Sequence, residues 1–216
     1  MRSLFIRPLL SLAAAAALIG NTPAEVDGPI VGGEDARGFA SAKGDAETDA
    51  AELFRAGAEK GDAYSQWRLA VMIDEGTAQG TLEEAVALFR KAAGQKSSDA
   101  MVGLAVMHAT GRGTARDHAA AMRYYQAAAR MGNAHGLQGI GVLYANGEGV
   151  AQDLDEALAY WLVASAAGDE NAQVLLLEHM PQSGNDISDE TLVRADRIAR
   201  NYNVPARFEM ASGNGF

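Results

Sequence analysis

The sequence predicts an all-α fold: an α/α solenoid of stacked helix pairs, closed at its C-terminal end by a capping helix. Two sets of repeated positions predict it. The segments LFRAGAEKGDA from 53, LFRKAAGQKSS from 88, YYQAAARMGNA from 124 and YWLVASAAGDE from 160 align, and their leading residues Leu53, Leu88, Tyr124 and Tyr160 stand 35, 36 and 36 residues apart. Leu69, Leu104, Ile140 and Leu176 keep the same step, and Gly76, Gly111 and Gly147 close the first three of those segments. Self-similarity at this period marks a helical array, in which each pair buries its apolar face only against its neighbours.

The chain opens with MRSLFIRPLLSLAAAAALIGNTPA, where Arg2 and Arg7 precede an apolar run from Leu9 to Ile19 and then small and polar residues. That is the three-part form of a secretory signal peptide, and the run is too short to span a bilayer comfortably. Residues 1–24 are therefore expected to be removed. Residues 25–48, rich in Gly, Ala and acid with no sustained period, read as a flexible linker. An exported chain with no cysteine must be stabilised by packing rather than by disulfides. The expected address is a bacterial periplasm, with secretion as the alternative. A formal net charge of -10, without any Lys/Arg cluster, argues against nucleic acid and against anionic membrane as partners.

The repeat array is expected over 49–180. A lone second helix at 49–60 precedes three full helix pairs, and a lone first helix at about 170–180 follows them. In each second helix alanine recurs three residues ahead of the leading position, at Ala50, Ala85, Ala121 and Ala157, and an aromatic residue follows it, at Phe54, Phe89, Tyr125 and Trp161. In the first helices Ala70, Ala105 and Gly141 share one position, where a bulky side chain would hold neighbouring helices apart. The stretch YANGEGVAQD at 144–153 becomes a helix-to-helix turn once it is aligned with MHATGRGTARD at 107. Gly147 is expected as a left-handed C-cap and Asp153 as the N-cap of the next helix.

Residues 181–216 read as a loop, a capping helix and a frayed tail. Ser188 is the expected N-cap, with Asp189 and Glu190 in the first turn. Leu192, Ala195, Ile198, Ala199 and Tyr202 form the apolar stripe, and Arg194, Arg197 and Arg200 the outer face.

At this point GLQGIGVLYANGEGVAQDLDEALAYW resembles a Sel1-like repeat, a subclass of the tetratricopeptide superfamily. The resemblance lies in Ile140-Gly141, Tyr144, Gly147-x-Gly149-Val150, Asp153, Ala157 and the aromatic pair at 160. The second copy keeps Gly111-x-Gly113, Asp117 and Ala121 but has His108 where tyrosine is usual. The first copy, IDEGTAQGTLEEA, lacks the second glycine of the turn and is one residue shorter. The resemblance implies a right-handed α/α solenoid with the first helices lining a concave surface, and it implies adaptors and scaffolds for protein–protein interaction. Some exported members carry disulfide pairs and have been linked to β-lactam binding or hydrolysis; this chain has none of those cysteines.

On that concave face the first copy places Trp67, Arg68, Val71 and Glu75, the second Val102, Val106 and Thr110, the third Gln138, Val142 and Asn146. These are the candidate partner-binding residues. Val71, Val106 and Val142 recur in register, either as an apolar ladder for a partner or as packing between repeats. Trp67 is either an interface anchor or a packing residue against the helix at 49–60. His108, His118, His135 and His179 form no HxxxH or HExxH pattern, so no metal is expected, and His108 is read as a packing substitute for tyrosine. No nucleophile elbow, Walker loop or dinucleotide fingerprint occurs, and Glu83-Glu84 and Asp155-Glu156 sit in first turns of second helices as dipole partners. The expectation is a non-enzymatic scaffold without cofactor that binds a protein or peptide, with a cell-wall-active or β-lactam-binding hydrolase as the alternative.

Overall fold

The computed structural model describes residues 50–179, 187–206 and 208. The expected signal peptide and linker lie outside the described residues, as do 180–186 and most of the tail. Every regular element among the described residues is an α-helix, and the chain is an all-α repeat solenoid. It divides into two compact units between Ser97 and Ser98.

The first unit holds α1 (50–59), α2 (Ala63–Glu75) and α3 (Leu82–Gly94). Asp62 starts α2 by accepting a hydrogen bond from the Ser65 amide at 2.7 Å, and Thr81 starts α3 by accepting from the Glu84 amide at 3.2 Å. Such caps satisfy amides that have no partner inside the helix. Gly76 ends α2 at φ 76°, a left-handed conformation in which a side chain would be strained. Leu69, Ala70, Met72 and Ile73 of α2 are buried, as are Ala85, Val86, Phe89 and Ala92 of α3, and these two helices pack together. Arg55 of α1 donates to Glu84 at 3.0 Å, and Gln95 donates back to the Gly61 carbonyl and to Gln66, each at 2.9 Å.

The second unit holds α4 (Ser98–Thr110), α5 (His118–Arg130), α6 (Ala134–Asn146), α7 (Leu154–Ala166), α8 (Glu170–His179) and α9 (Asp189–Asn201). Each packs on the next from α4 to α8. The expected caps are present: Gly147 has φ 70° and ψ 33°, Asp153 accepts from the Glu156 amide at 2.9 Å, and Ser188 accepts from the Thr191 amide at 3.1 Å. The close approach of the turn to the preceding pair explains its second glycine. A Cβ on Gly149 would lie 2.7 Å from the His118 Cβ.

Two contacts recur in this unit, one joining successive first helices and one joining the two helices of a pair. The N-cap side chain of one first helix also grips the first turn of the preceding one. Asn133 caps α6 and donates to Asp99 at 2.7 Å, while Asp169 caps α8 and contacts His135 at 2.8 Å. At the other end of each pair the rings of His108 and Tyr124 stack with centroids 5.8 Å apart, and those of Tyr144 and Tyr160 at 5.7 Å. His108 thus occupies the tyrosine position in the same stacked geometry.

The terminal helix differs in part from the expected arrangement. Ala195, Ile198 and Ala199 are buried and Tyr202 meets Tyr160 edge-on, but Thr191 is buried where Leu192 was expected to be. Arg194 and Arg197 do not form a free outer face. Arg194 contacts Asp153 at 2.8 Å and Glu190 at 2.7 Å, and Arg197 contacts Glu156 at 2.9 Å. The cause is position: α9 packs against α7, whose first turn is acidic, rather than against α8. On α8, Val174 and Leu177 consequently stay exposed, at 53% and 78%. Leu177 stands where the earlier repeats carry Ala70, Ala105 and Gly141. Trp161 of α7 fills the space above Gly141, whereas no second helix of its own pair covers Leu177 among the described residues.

Candidate partner-binding site

In the first unit two of the candidate residues, Trp67 and Arg68, belong to a ring cluster built by α1 and α2. Tyr64, Trp67 and Arg68 lie three and four residues apart, a spacing that puts them on one helix face. Phe54 of α1 meets Tyr64 edge-on with centroids 6.0 Å apart, and Tyr64 meets Trp67 at 5.6 Å. The Arg68 guanidinium carbon lies 5.6 Å from the Phe54 ring centre and 5.4 Å from that of Trp67, within cation–π range of both. Trp67, Arg68 and Glu75 are half-buried, Val71 is buried, and Tyr64 is 59% exposed. Trp67 therefore reaches α1 through Tyr64 and Arg68 while keeping part of its ring open.

In the second unit, Val102, Val106 and Val142 are partly buried against the hydrophobic core. Thr110 is exposed, and its hydroxyl donates back to the Val106 carbonyl at 2.8 Å. Asn146 is exposed and reaches Glu148 at 3.4 Å. Gln138 is half-buried, and its backbone carbonyl accepts from the indole N–H of the fully buried Trp161 at 3.2 Å. The valines of this unit thus support the core and keep an open edge, flanked by two exposed polar side chains.

Phe54 and Tyr64 complete the cluster and were not among the residues expected from sequence. The signal for Tyr64 was its place one turn ahead of Trp67 and Arg68; nothing marked Phe54 apart from the aromatic residues at equivalent positions. Among the described residues, no three His, Asp or Glu side chains converge so as to hold a metal ion, and no helix is long and apolar enough to cross a membrane.

The Sel1 repeat family matches residues 63–97, 98–133 and 134–169. Each match runs from a first helix through its second helix to the next cap. Among solved structures the chain is similar to a Sel1 repeat protein from Oxalobacter formigenes, at 29% identity and a TM-score of 0.58, covering 72% of this chain and 64% of that one. It is also similar to a protective antigen of uropathogenic Escherichia coli displaying an SLR fold, at 21% identity and a TM-score of 0.47, covering 76% of this chain and 45% of that one. The chain thus spans less than two thirds of the length of either structure. No curated protein matches it.

Proposed function

Because this chain is a Sel1 repeat protein, built on three consecutive repeats, we propose that it is an exported scaffold that holds a protein or peptide partner on its first-helix faces. The observation that carries this proposal is the half-open ring of Trp67 beside an exposed Tyr64. Amphipathic rings with an accessible face are the residue type that most often anchors protein interfaces. Repeats of this family generally mediate protein interactions, which supports the same reading. Export is supported by the form of residues 1–24, and a role in assembly or regulation within the bacterial envelope follows from that address.

Site-specific photocrosslinking in cells tests the proposal. A crosslinking residue at Trp67, Val102 or Gln138 is expected to trap one recurring partner, and the same residue at the exposed second-helix positions Ala87 or Arg123 is not. Equal trapping at all positions, or at none, overturns the scaffold. Turnover of a chromogenic β-lactam, or release of peptidoglycan fragments by the full chain, would replace it with a hydrolase. Recovery of the chain with the cytoplasmic fraction would overturn export.

A further inference from the structure

Two other half-buried arginines, Arg55 and Arg194, are tied to carboxylates. Arg55 pairs with Glu84 at 3.0 Å, and Arg194 with Asp153 and Glu190. Arg68 is held differently. It lies against the rings of Phe54 and Trp67, it makes no hydrogen bond or ion pair with any described residue, and its Nε is sealed from solvent without an acceptor. The chain has 28 acidic residues against 18 basic ones, so a half-buried cation that has recruited no carboxylate among the described residues stands out against the composition.

Ring faces hold a guanidinium through its plane and leave its edge donors for an acceptor lying in that plane. A carboxylate matches that edge with two oxygens. Beside it, the 59% exposed Tyr64 continues the ring surface into solvent and offers contact for an apolar side chain. The whole chain is acidic, so a polyanion would be repelled by the surrounding field. We propose that Arg68, with Tyr64 and Trp67, is the recognition point for an acidic peptide, receiving an Asp or Glu carboxylate that neighbours an apolar residue. This rests on the protein-binding reading above and specifies the chemistry of its partner.

The test is selection from a displayed library of random, unphosphorylated peptides against the full chain. Enriched sequences are expected to carry Asp or Glu next to an aromatic or aliphatic residue. A synthetic peptide of the enriched sequence is expected to bind the Arg68→Met chain about tenfold more weakly or worse, since a charge-assisted hydrogen bond is lost while the apolar stem is kept. Changing the peptide's Asp to Asn or Glu to Gln should weaken binding to the unaltered chain by a similar factor, which keeps the test valid even where Arg68→Met disturbs folding. Enrichment without acids, binding indifferent to the acid-to-amide change, or recognition of phosphoserine peptides but not of Asp and Glu peptides overturns the site. If such non-acidic peptides still compete with crosslinking at Trp67, the scaffold survives and only the carboxylate site falls. No enrichment overturns the peptide site, and the scaffold falls with it only where crosslinking also traps nothing.

Discussion

The Nδ1 atom of His135 lies 2.8 Å from one carboxylate oxygen of Asp169, a side chain withdrawn completely from solvent. The other oxygen accepts from the Ala172 amide at 3.0 Å. One carboxylate therefore starts α8 and holds the first turn of α6. The hydrogen bond to Asp169 raises the His135 pKa above its ordinary value; burial opposes this, and the charges of Asp169 and Asp99 add to it. Because the folded pKa is the higher one, the stability from this pair is complete below the unfolded value of about 6.5 and is lost as pH rises through the folded value. Urea unfolding of the full chain should therefore show a midpoint that falls over that interval. Asp169→Asn keeps a good N-cap and should flatten this part of the profile. An unaltered slope in the variant would place the pH dependence elsewhere.

Gly141 is a glycine for reasons of space. A Cβ there would strike the Trp161 indole, lying 2.6 Å from its Cδ1 and closer still to its Nε1, and would lie 3.1 Å from the Ala157 carbonyl oxygen. Trp161 cannot easily give way, since it is fully buried and donates to the Gln138 carbonyl. Intrinsic propensity favours Ala over Gly in a helix by about 1 kcal/mol, so the sign of the effect separates the two influences. Gly141→Ala is expected to destabilise by about 1–3 kcal/mol as an overpacked site, and Gly141→Leu by more. A raised chemical-denaturation midpoint for Gly141→Ala would refute the placement.

His108 stacks on Tyr124 as Tyr144 stacks on Tyr160, with interplanar angles of 14° and 15°. The imidazole Nδ1 is buried and has no hydrogen-bond partner among the described residues. His108→Tyr should restore the ring found one repeat later and remove that buried nitrogen, raising stability by about 1 kcal/mol. A lowered thermal midpoint would show that the site lacks room for the longer ring.

What recurs every 35 or 36 residues was legible in the sequence. Gly147, Asp153 and the small residue at 141 are recognisable because other copies carry the same or a similar residue there, and a corner repeated along a chain is read as a corner. Features that occur once, or that join distant turns, were not legible. The Phe54, Tyr64, Trp67 and Arg68 cluster exists only in the first unit, and its α1 member becomes relevant only after α1 folds onto α2. The His135–Asp169 contact spans 34 residues between two first turns. The arginines of α9 looked like a solvated face because helical spacing shows which residues share a side, not what that side meets. The acids on α7 decide it.

Those acids make the attachment of α9 testable. Arg194 reaches Asp153 at 2.8 Å, Glu156 at 3.4 Å and Glu190 at 2.7 Å, and the hydrogen bonds to Glu190 and Asp153 drive its pKa upward. The Asp153 carboxyl is held below its usual range, first by the Glu156 amide and then, against burial, by Arg194. A depressed carboxylate contributes stability that is present above its unfolded pKa of about 3.9 and is lost as pH falls through the folded value. Asp153→Asn preserves the cap and removes the charge, while Arg194→Met preserves the stem. Both groups are partly solvated, so the coupling between the two substitutions in a double-mutant cycle should be about 1 kcal/mol. Hydrogen exchange should quicken at the amides of α9 in Arg194→Met, and high salt should reproduce part of that effect in the unaltered chain. A coupling of zero with unchanged exchange would mean that Ala195, Ile198 and Ala199 hold α9 by apolar contact alone.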